Sequence, residues 1–238
     1  MQIKKPNQST ITKLLFILPT ALGAIAILWV ATLFIGTDSL ALLVTLLIGC
    51  AYAIGVAELI NFRSATSSLQ NALTKIPESI NKLDEWLSGV HSSLQNSVRL
   101  RIESERVGLP APVLTPYLVG LLVMLGLLGT FIGMVDTLGG AVTALEGSTE
   151  LQAIRKGLAA PINGLSLAFG PSVAGVAASA MLGLLSTLSR RERKMATRSV
   201  DAKIATDWRY FSLTHNHQKT YDALQAQAEV MPELPKQM

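Results

Sequence analysis

The sequence predicts an all-α protein that crosses a membrane four times, and three observations support this fold class. Of the 238 residues, 50% are hydrophobic and only 15% are charged, whereas soluble domains are about a quarter charged. The apolar residues are gathered into four blocks, each with roughly the 20 residues that a helix needs to cross a bilayer. These apolar blocks also account for the positive mean hydropathy of the chain, +0.42. Most charged residues lie outside the blocks, where helical extensions in the cytoplasm are expected.

The four hydrophobic blocks cover about residues 14–35, 40–60, 113–135 and 165–188. The first is too long for the apolar part of a signal peptide, and only four residues separate it from the second, so a membrane hairpin is predicted. The predicted segments are the hairpin 1–62, a cytoplasmic helical insertion 63–112, a channel core 113–188 and a cytoplasmic helical tail 189–238.

The distribution of Lys and Arg predicts the orientation. Three precede the first block, six lie between the second and third, and nine follow the fourth, whereas only Arg155 and Lys156 lie between the third and fourth. Because basic loops stay in the cytoplasm, both termini are expected there. The net charge of +4 is then explained by topology and contact with lipid headgroups, and nucleic-acid binding is not expected.

The insertion carries apolar residues at alternating steps of four and three, which predict a helix with one seam for a partner helix. They are Leu69, Leu73, Ile76, Ile80, Leu83, Leu87, Val90 and Leu94. Pro77 should interrupt this helix, and Gly108, Pro110 and Pro112 should end the helical region. The seam could pack against the chain's own tail or against another subunit. The tail from Ser189 to about Val230 is expected to continue the last membrane helix.

Several kinds of chemistry are not expected from this sequence. It contains no glycine-rich phosphate loop, no Cys/His set with zinc spacing and no Ser-His-Asp arrangement, so neither an enzyme nor a bound cofactor or metal is predicted. His215 and His217 would face opposite sides of a helix and make a poor metal site. Cys50, inside the second block, is expected to be a small buried apolar side chain.

Small residues share one face of the third and of the fourth block. Gly126, Gly129 and Gly133 recur at steps of three and four, which lets backbones approach closely. The fourth block carries a weakly polar stripe of Ala168, Ser172, Gly175 and Ser179. Pro171 should free the carbonyl of Leu167 beside Ser172. Such faces suit helix packing, and hydroxyls at similar depth on two spans also suit an ion path.

The chain does not place a carboxylate near the centre of the bilayer. Glu58 lies near the inner end of the second block and Asp136 at the outer end of the third. An ion path normally needs an ionisable group at depth. If ions pass, another protein must supply the group that carries them.

Residues 125–135, Pro161 and residues 168–180 resemble the MotA/TolQ/ExbB proton-channel family. The third-span pattern is matched by Leu127-Leu128-Gly129-Thr130 and Gly133, and the fourth-span pattern by Ala168, Ser172 and Gly175. The four-span layout is similar to that of flagellar stators, and the long tail resembles the membrane subunit of the Zorya phage-defence system.

The resemblance implies a ring of five subunits around two copies of a single-span partner. The partner's membrane aspartate would carry the ion, a proton or alternatively sodium, and its periplasmic domain would bind peptidoglycan. Thr130 and Ser172 stand at the positions of the hydroxyls that face that aspartate, and Ser179 continues the expected ion pathway. Gly126, Gly129, Gly133 and Gly175 are expected to pack helices and to build the ring.

The sequence is therefore compatible with three alternative functions. The first is the pentameric subunit of an ion-driven motor in the bacterial inner membrane. The second is a non-conducting membrane anchor for a cytoplasmic coiled-coil scaffold, which has no need of hydroxyls at Thr130, Ser172 and Ser179. A self-contained transporter is the third, and the missing intramembrane charge and missing inverted repeat count against it.

Overall fold

The computed structural model describes residues 8–36, 38–74, 83–103, 107–146, 168–206, 220–221 and 224–225. Within these ranges the regular elements are helices, which confirms the all-α class for the described part of the chain. They are α1 (Gln8–Phe34), α2 (Ser39–Thr74), α3 (Leu83–Ser88), α4 (Ser92–Glu103), α5 (Leu114–Glu146) and α6 (Gly170–Thr206).

Several predictions concern residues outside the described ranges. They are the break at Pro77 with the neighbouring seam residues Ile76 and Ile80, the outer basic pair Arg155 and Lys156, Pro161, Leu167, and the histidines His215 and His217.

Four of the helices, α1, α2, α5 and α6, are long and apolar enough to cross a membrane, as expected of a multi-pass membrane protein. With 36 and 37 residues, α2 and α6 each extend about 54 Å at 1.5 Å per residue. The hydrocarbon core of a bilayer is only about 30 Å thick. Both helices therefore continue well beyond their apolar blocks, and α6 does so as far as Thr206, as predicted for the first part of the tail.

A tight turn joins α1 to α2 and forms the predicted hairpin. Gly36 has a φ of 81°, a left-handed conformation that glycine adopts without strain. A carboxylate oxygen of Asp38 then accepts hydrogen bonds from the backbone N–H groups of Leu40 (2.9 Å) and Ala41 (3.1 Å). This side chain caps the start of α2.

The chain divides into two compact units, and each unit combines two separate stretches of sequence. Residues 1–61 and 112–189 form the membrane unit, and residues 62–111 and 190–238 form the polar unit. The hairpin thus belongs with the channel core, and the insertion with the tail. The predicted segments are therefore arranged as two discontinuous pairs.

The membrane unit buries a core of apolar side chains from α1, α2, α5 and α6, which includes Phe34, Ile48, Leu59, Leu122 and Leu182. Its outer face is apolar as well: the relative exposure is 65% for Leu28 and 70% for Met124. Cys50 is also exposed, so the expectation that it is buried is wrong. On a membrane helix the outward face meets lipid, and a small apolar side chain is stable there.

The polar unit has a separate core to which the described residues of the predicted seam contribute, with Leu73 and Leu83 partly buried. Leu69, Leu87, Val90 and Leu94 pack together with Trp86, Val98 and Ile102, and with Ala196 and Val200 of α6. Of the two alternatives for the described part of the seam, the structure therefore shows packing against the chain's own tail. Residues 107–113 contain no helix, which confirms the break predicted from Gly108, Pro110 and Pro112.

Two ion pairs tie α6 to other parts of the polar unit. Arg101 donates two hydrogen bonds to Asp201, at 2.7 Å and 2.9 Å. These bonds raise the pKa of Arg101 above its usual value, so the guanidinium stays charged throughout the physiological range. Arg63 pairs with Glu192 at 3.1 Å.

Candidate functional site

Helices α5 and α6 pack against each other in antiparallel order, and the small-residue faces form their contact. Gly175 lies against Leu122 and Gly126, whereas Gly133 lies nearer the start of α6, against Ala168. Residue numbers therefore rise along one helix as they fall along the other. All four glycines predicted for helix packing, Gly126, Gly129, Gly133 and Gly175, lie in this contact.

The contact is too close for side chains at these positions. A Cβ atom on Gly175 would lie 2.5 Å from the carbonyl oxygen of Leu122 and 2.8 Å from the Cα of Gly126. A Cβ on Gly129 would lie 2.5 Å from the Cβ of Pro171, and one on Gly133 would lie 2.8 Å from that of Ala168. These glycines therefore serve helix packing within one chain.

The hydroxyl of Ser179 belongs to the same intrachain contact. Ser179 is buried, and its hydroxyl donates a hydrogen bond of 2.9 Å to the backbone carbonyl of Val119 on α5. The one proton of this hydroxyl is thus used in a hydrogen bond between helices, and such bonds stabilise helix association in a membrane. Ser179 was predicted to line the ion pathway, but this geometry gives it a packing role, so the pathway prediction rests on Thr130 and Ser172.

Thr130 and Ser172 are both half-buried and lie near one level of the helix pair. The register follows from Gly129, which faces Pro171, and from Gly126, whose Cβ position is 3.2 Å from the Cα of Ser172. Thr130 and Ser172 therefore lie within about one helical turn of each other along the pair. The Thr130 hydroxyl donates to the Gly126 carbonyl of its own helix at 3.1 Å. Its oxygen lone pairs can still accept, and donation to another acceptor requires rotation of the hydroxyl about the Cβ–Oγ1 bond.

Pro171 lies in the first turn of α6, which begins at Gly170. In a first turn the missing proline N–H costs no helix hydrogen bond. The expected free carbonyl of Leu167 lies outside the described residues. What the structure does show is a contact: the Pro171 ring fills the space beside Gly129 and sets the separation of the two helices there.

Glu58 has a role that the sequence reasoning missed. Its carboxylate accepts hydrogen bonds from the backbone N–H groups of Val113 (2.9 Å), Leu114 (3.0 Å) and Thr115 (2.7 Å), and one from the Thr115 hydroxyl. It caps the N-terminus of α5 from another helix, where a negative charge is favoured. The sequence contained one signal for such a cap. Helix α5 begins shortly after Pro112, and its first turn contains no acidic residue.

This cap matters for ion transport because Glu58 is the one acidic residue in the four hydrophobic blocks of the sequence. A carboxylate that holds the first turn of α5 cannot also shuttle ions without releasing that turn. In the described residues no group of three or more His, Cys, Asp and Glu side chains is placed to hold a metal ion. The arrangement thus places two half-buried hydroxyls, those of Thr130 and Ser172, near one level of the helix pair.

Comparison with protein-family models, with curated proteins and with solved structures finds no match for this chain.

Proposed function

We propose that this chain is the ring-forming subunit of an ion-driven motor in the bacterial inner membrane. Five copies surround two copies of a single-span partner whose membrane carboxylate carries the ion, a proton in the first instance. Both termini lie in the cytoplasm, in agreement with the distribution of Lys and Arg in the sequence.

The observation that carries this proposal is the pair of half-buried hydroxyls at Thr130 and Ser172. The neighbouring small residues lie in the close contact between α5 and α6, and Ser179 is buried against Val119. Thr130 and Ser172 remain partly accessible. Large apolar side chains surround them on the accessible faces, among them Leu127, Phe131 and Val173. This surface suits an apolar partner helix with one polar group.

The proposed step is the hydrogen bonding of an ionised partner carboxylate by these two hydroxyls. A carboxylate in a low-dielectric site is costly when charged, and the cost favours its protonated form unless donors compensate. Rotation of the Thr130 hydroxyl from the Gly126 carbonyl to the carboxylate would stabilise the charged form. Cycling between the two forms as subunits pass the partner couples ion flow to rotation.

Substitution of the hydroxyls tests this step directly. A hydrogen bond to a charged group is worth about 1.5–3 kcal/mol, so Thr130→Val should lower ion turnover roughly ten- to a hundredfold. Ser172→Ala should act similarly, and the double variant less than additively if both hydroxyls serve one carboxylate. The measurement is proton uptake by vesicles that contain this protein and its partner.

Thr187→Val is the matched control. The Thr187 hydroxyl also donates to the carbonyl of a glycine one turn earlier, Gly183, at 2.9 Å, and its side chain is exposed. This variant removes the same group from the same local geometry at a position outside the proposed path. The mechanism is wrong if Thr130→Val and Ser172→Ala leave uptake intact, or if Thr187→Val lowers it equally.

The alternative is a non-conducting anchor for a cytoplasmic coiled coil. The described seam residues of the insertion pack in the core of their own unit or against it, so this packing uses the seam within one chain, which favours the motor. Native mass spectrometry in mild detergent addresses the assembly, with a pentamer expected. A monomer or dimer in the presence of the partner would contradict the ring.

A further inference from the structure

A row of basic side chains follows the last hydrophobic block on α6. Arg190, Lys194 and Arg198 recur at steps of four and therefore share one helix face. With Arg193 and Thr197 they line a cavity of about 450 Å³ in the polar unit. The rest of its lining is apolar and comprises Phe62, Leu109, Pro110 and Ala111.

Arg193 is a buried cation in the wall of this cavity, with a relative exposure of 6%. It donates hydrogen bonds to the Thr66 hydroxyl (2.7 Å) and to the carbonyls of Phe62 (2.9 Å) and Pro110 (3.2 Å). Its guanidinium carbon lies 4.0 Å from the centre of the Phe62 ring. All of these partners are neutral. The hydrogen bonds fix the side chain, and no carboxylate of the described residues pairs with its positive charge.

The two acidic residues of α6 are engaged elsewhere. Glu192 pairs with Arg63, and Asp201 pairs with Arg101. Within the described part of the chain, no ion pair or hydrogen bond involves the side chains of Arg190, Lys194 or Arg198. Among the described residues, four cations thus line one cavity and no carboxylate pairs with them, so an anionic ligand is favoured there.

The position of the cavity along the chain indicates where that ligand comes from. Arg190 comes two residues after the last hydrophobic block, Phe62 two residues after the second, and Ala111 two residues before the third. Two residues of helix correspond to about 3 Å. The headgroup layer extends roughly 5–8 Å beyond the hydrocarbon on each side. Side chains on a helix also lean toward its N-terminus, which on α6 turns Lys194 and Arg198 back toward the membrane.

We propose that this cavity binds the phosphate of an anionic phospholipid from the leaflet at its own side of the membrane. The basic face holds the phosphate, Arg193 adds a fixed positive charge, and the apolar wall accommodates the glycerol and the upper acyl chain. Clusters of Lys and Arg that directly follow a membrane helix attract such headgroups. The site is independent of the proposed ion step at Thr130 and Ser172.

The test uses the full-length protein reconstituted in vesicles of equal parts phosphatidylglycerol and phosphatidylcholine. After extraction in mild detergent, native mass spectrometry counts the retained lipids. Wild-type protein should retain phosphatidylglycerol in preference to phosphatidylcholine. Each of Arg190→Gln, Lys194→Gln and Arg198→Gln should lower that retention about fivefold, and the triple variant about a hundredfold. Arg190→Lys keeps the positive charge, so this variant should retain most of the phosphatidylglycerol that Arg190→Gln loses.

Arg191→Gln is the matched control, because Arg191 is the exposed neighbour of Arg190 and does not line the cavity. It should retain the lipid as the wild type does. The proposal is overturned if Arg191→Gln loses as much lipid as Arg190→Gln, if both lipids are retained equally, or if the triple variant keeps its phosphatidylglycerol. Displacement of the lipid by millimolar inorganic phosphate would also overturn it, in favour of a free anion. If the triple variant does not fold, the single variants decide.

Discussion

The α5–α6 contact of the membrane unit and the core of the polar unit are both built from helices, yet they hold those helices together differently. In the first, backbones touch: Gly175 lies against the Leu122 carbonyl and the Gly126 backbone. In the second, large side chains fill the space between helices, and Leu69, Leu94 and Val98 are almost fully buried. One chain thus uses glycine in one place and leucine in the other for the same task.

The solvent explains this difference. In water, burying leucine is favourable in itself, because apolar surface leaves water. In lipid, a leucine on the outer face is as well solvated as one inside, so burial gives no comparable gain. Helix association there depends on close van der Waals contact and on hydrogen bonds between helices, such as that from Ser179 to Val119. Leu28 and Met124 can therefore remain exposed at no cost.

The largest expected effect is at the core of the polar unit. Leu94→Ala should lower the free energy of unfolding of this unit by roughly 2–5 kcal/mol, because Leu94 has a relative exposure of 1%. Leu28→Ala, on the lipid-facing side of α1, should have little effect. Hydrogen exchange of the α3–α4 region in detergent, followed by mass spectrometry, measures both. Equal losses for the two variants would contradict the solvent explanation.

An intermediate effect is expected where backbones touch. Gly175→Ala places a methyl group against two backbone atoms that cannot move independently, so a loss of about 1–3 kcal/mol is expected. Gly120→Ala is the control, since a Cβ there meets nothing within 4 Å. It should be neutral, or stabilising by up to about 1 kcal/mol, because alanine favours the helix. Thermal unfolding in detergent, followed by helical circular dichroism, compares the two. If Gly175→Ala is as stable as Gly120→Ala, the close contact is not required.

The smallest effect is expected at the hydrogen bond between α5 and α6. Ser179→Ala should cost about 0.6 kcal/mol, the average for such bonds inside membrane proteins. Ser199→Ala removes an exposed hydroxyl that bonds within its own helix, and it should cost less. The same unfolding assay applies. A much larger loss at Ser179 would assign this hydroxyl a role beyond packing.

Much of this fold could be predicted from the sequence, because the features concerned are local. Apolar blocks of the right length predict membrane helices, and all four lie on helices of the structure. The glycine spacing at Gly126, Gly129 and Gly133 predicts a face for close packing, and the seam from Leu69 to Leu94 predicts one buried side. Pro110 and Pro112 end the helical region because proline has no N–H to donate and its ring clashes with the preceding turn, and Gly108 is a poor helix former.

Only the tertiary structure determines which helices or residues pack against these faces. The glycine faces of α5 and α6 pack against each other, the seam packs against Ala196 and Val200, and Glu58 caps a helix that begins more than fifty residues later. The sequence left Ser179 as a candidate for ion transport, and its bond to Val119 assigns it to packing. The periodicity of apolar residues predicts which side of a helix is buried. Which helix packs against that side depends on contacts between residues far apart in the chain. Local sequence cannot encode that choice, because it follows from the packing of all the helices together.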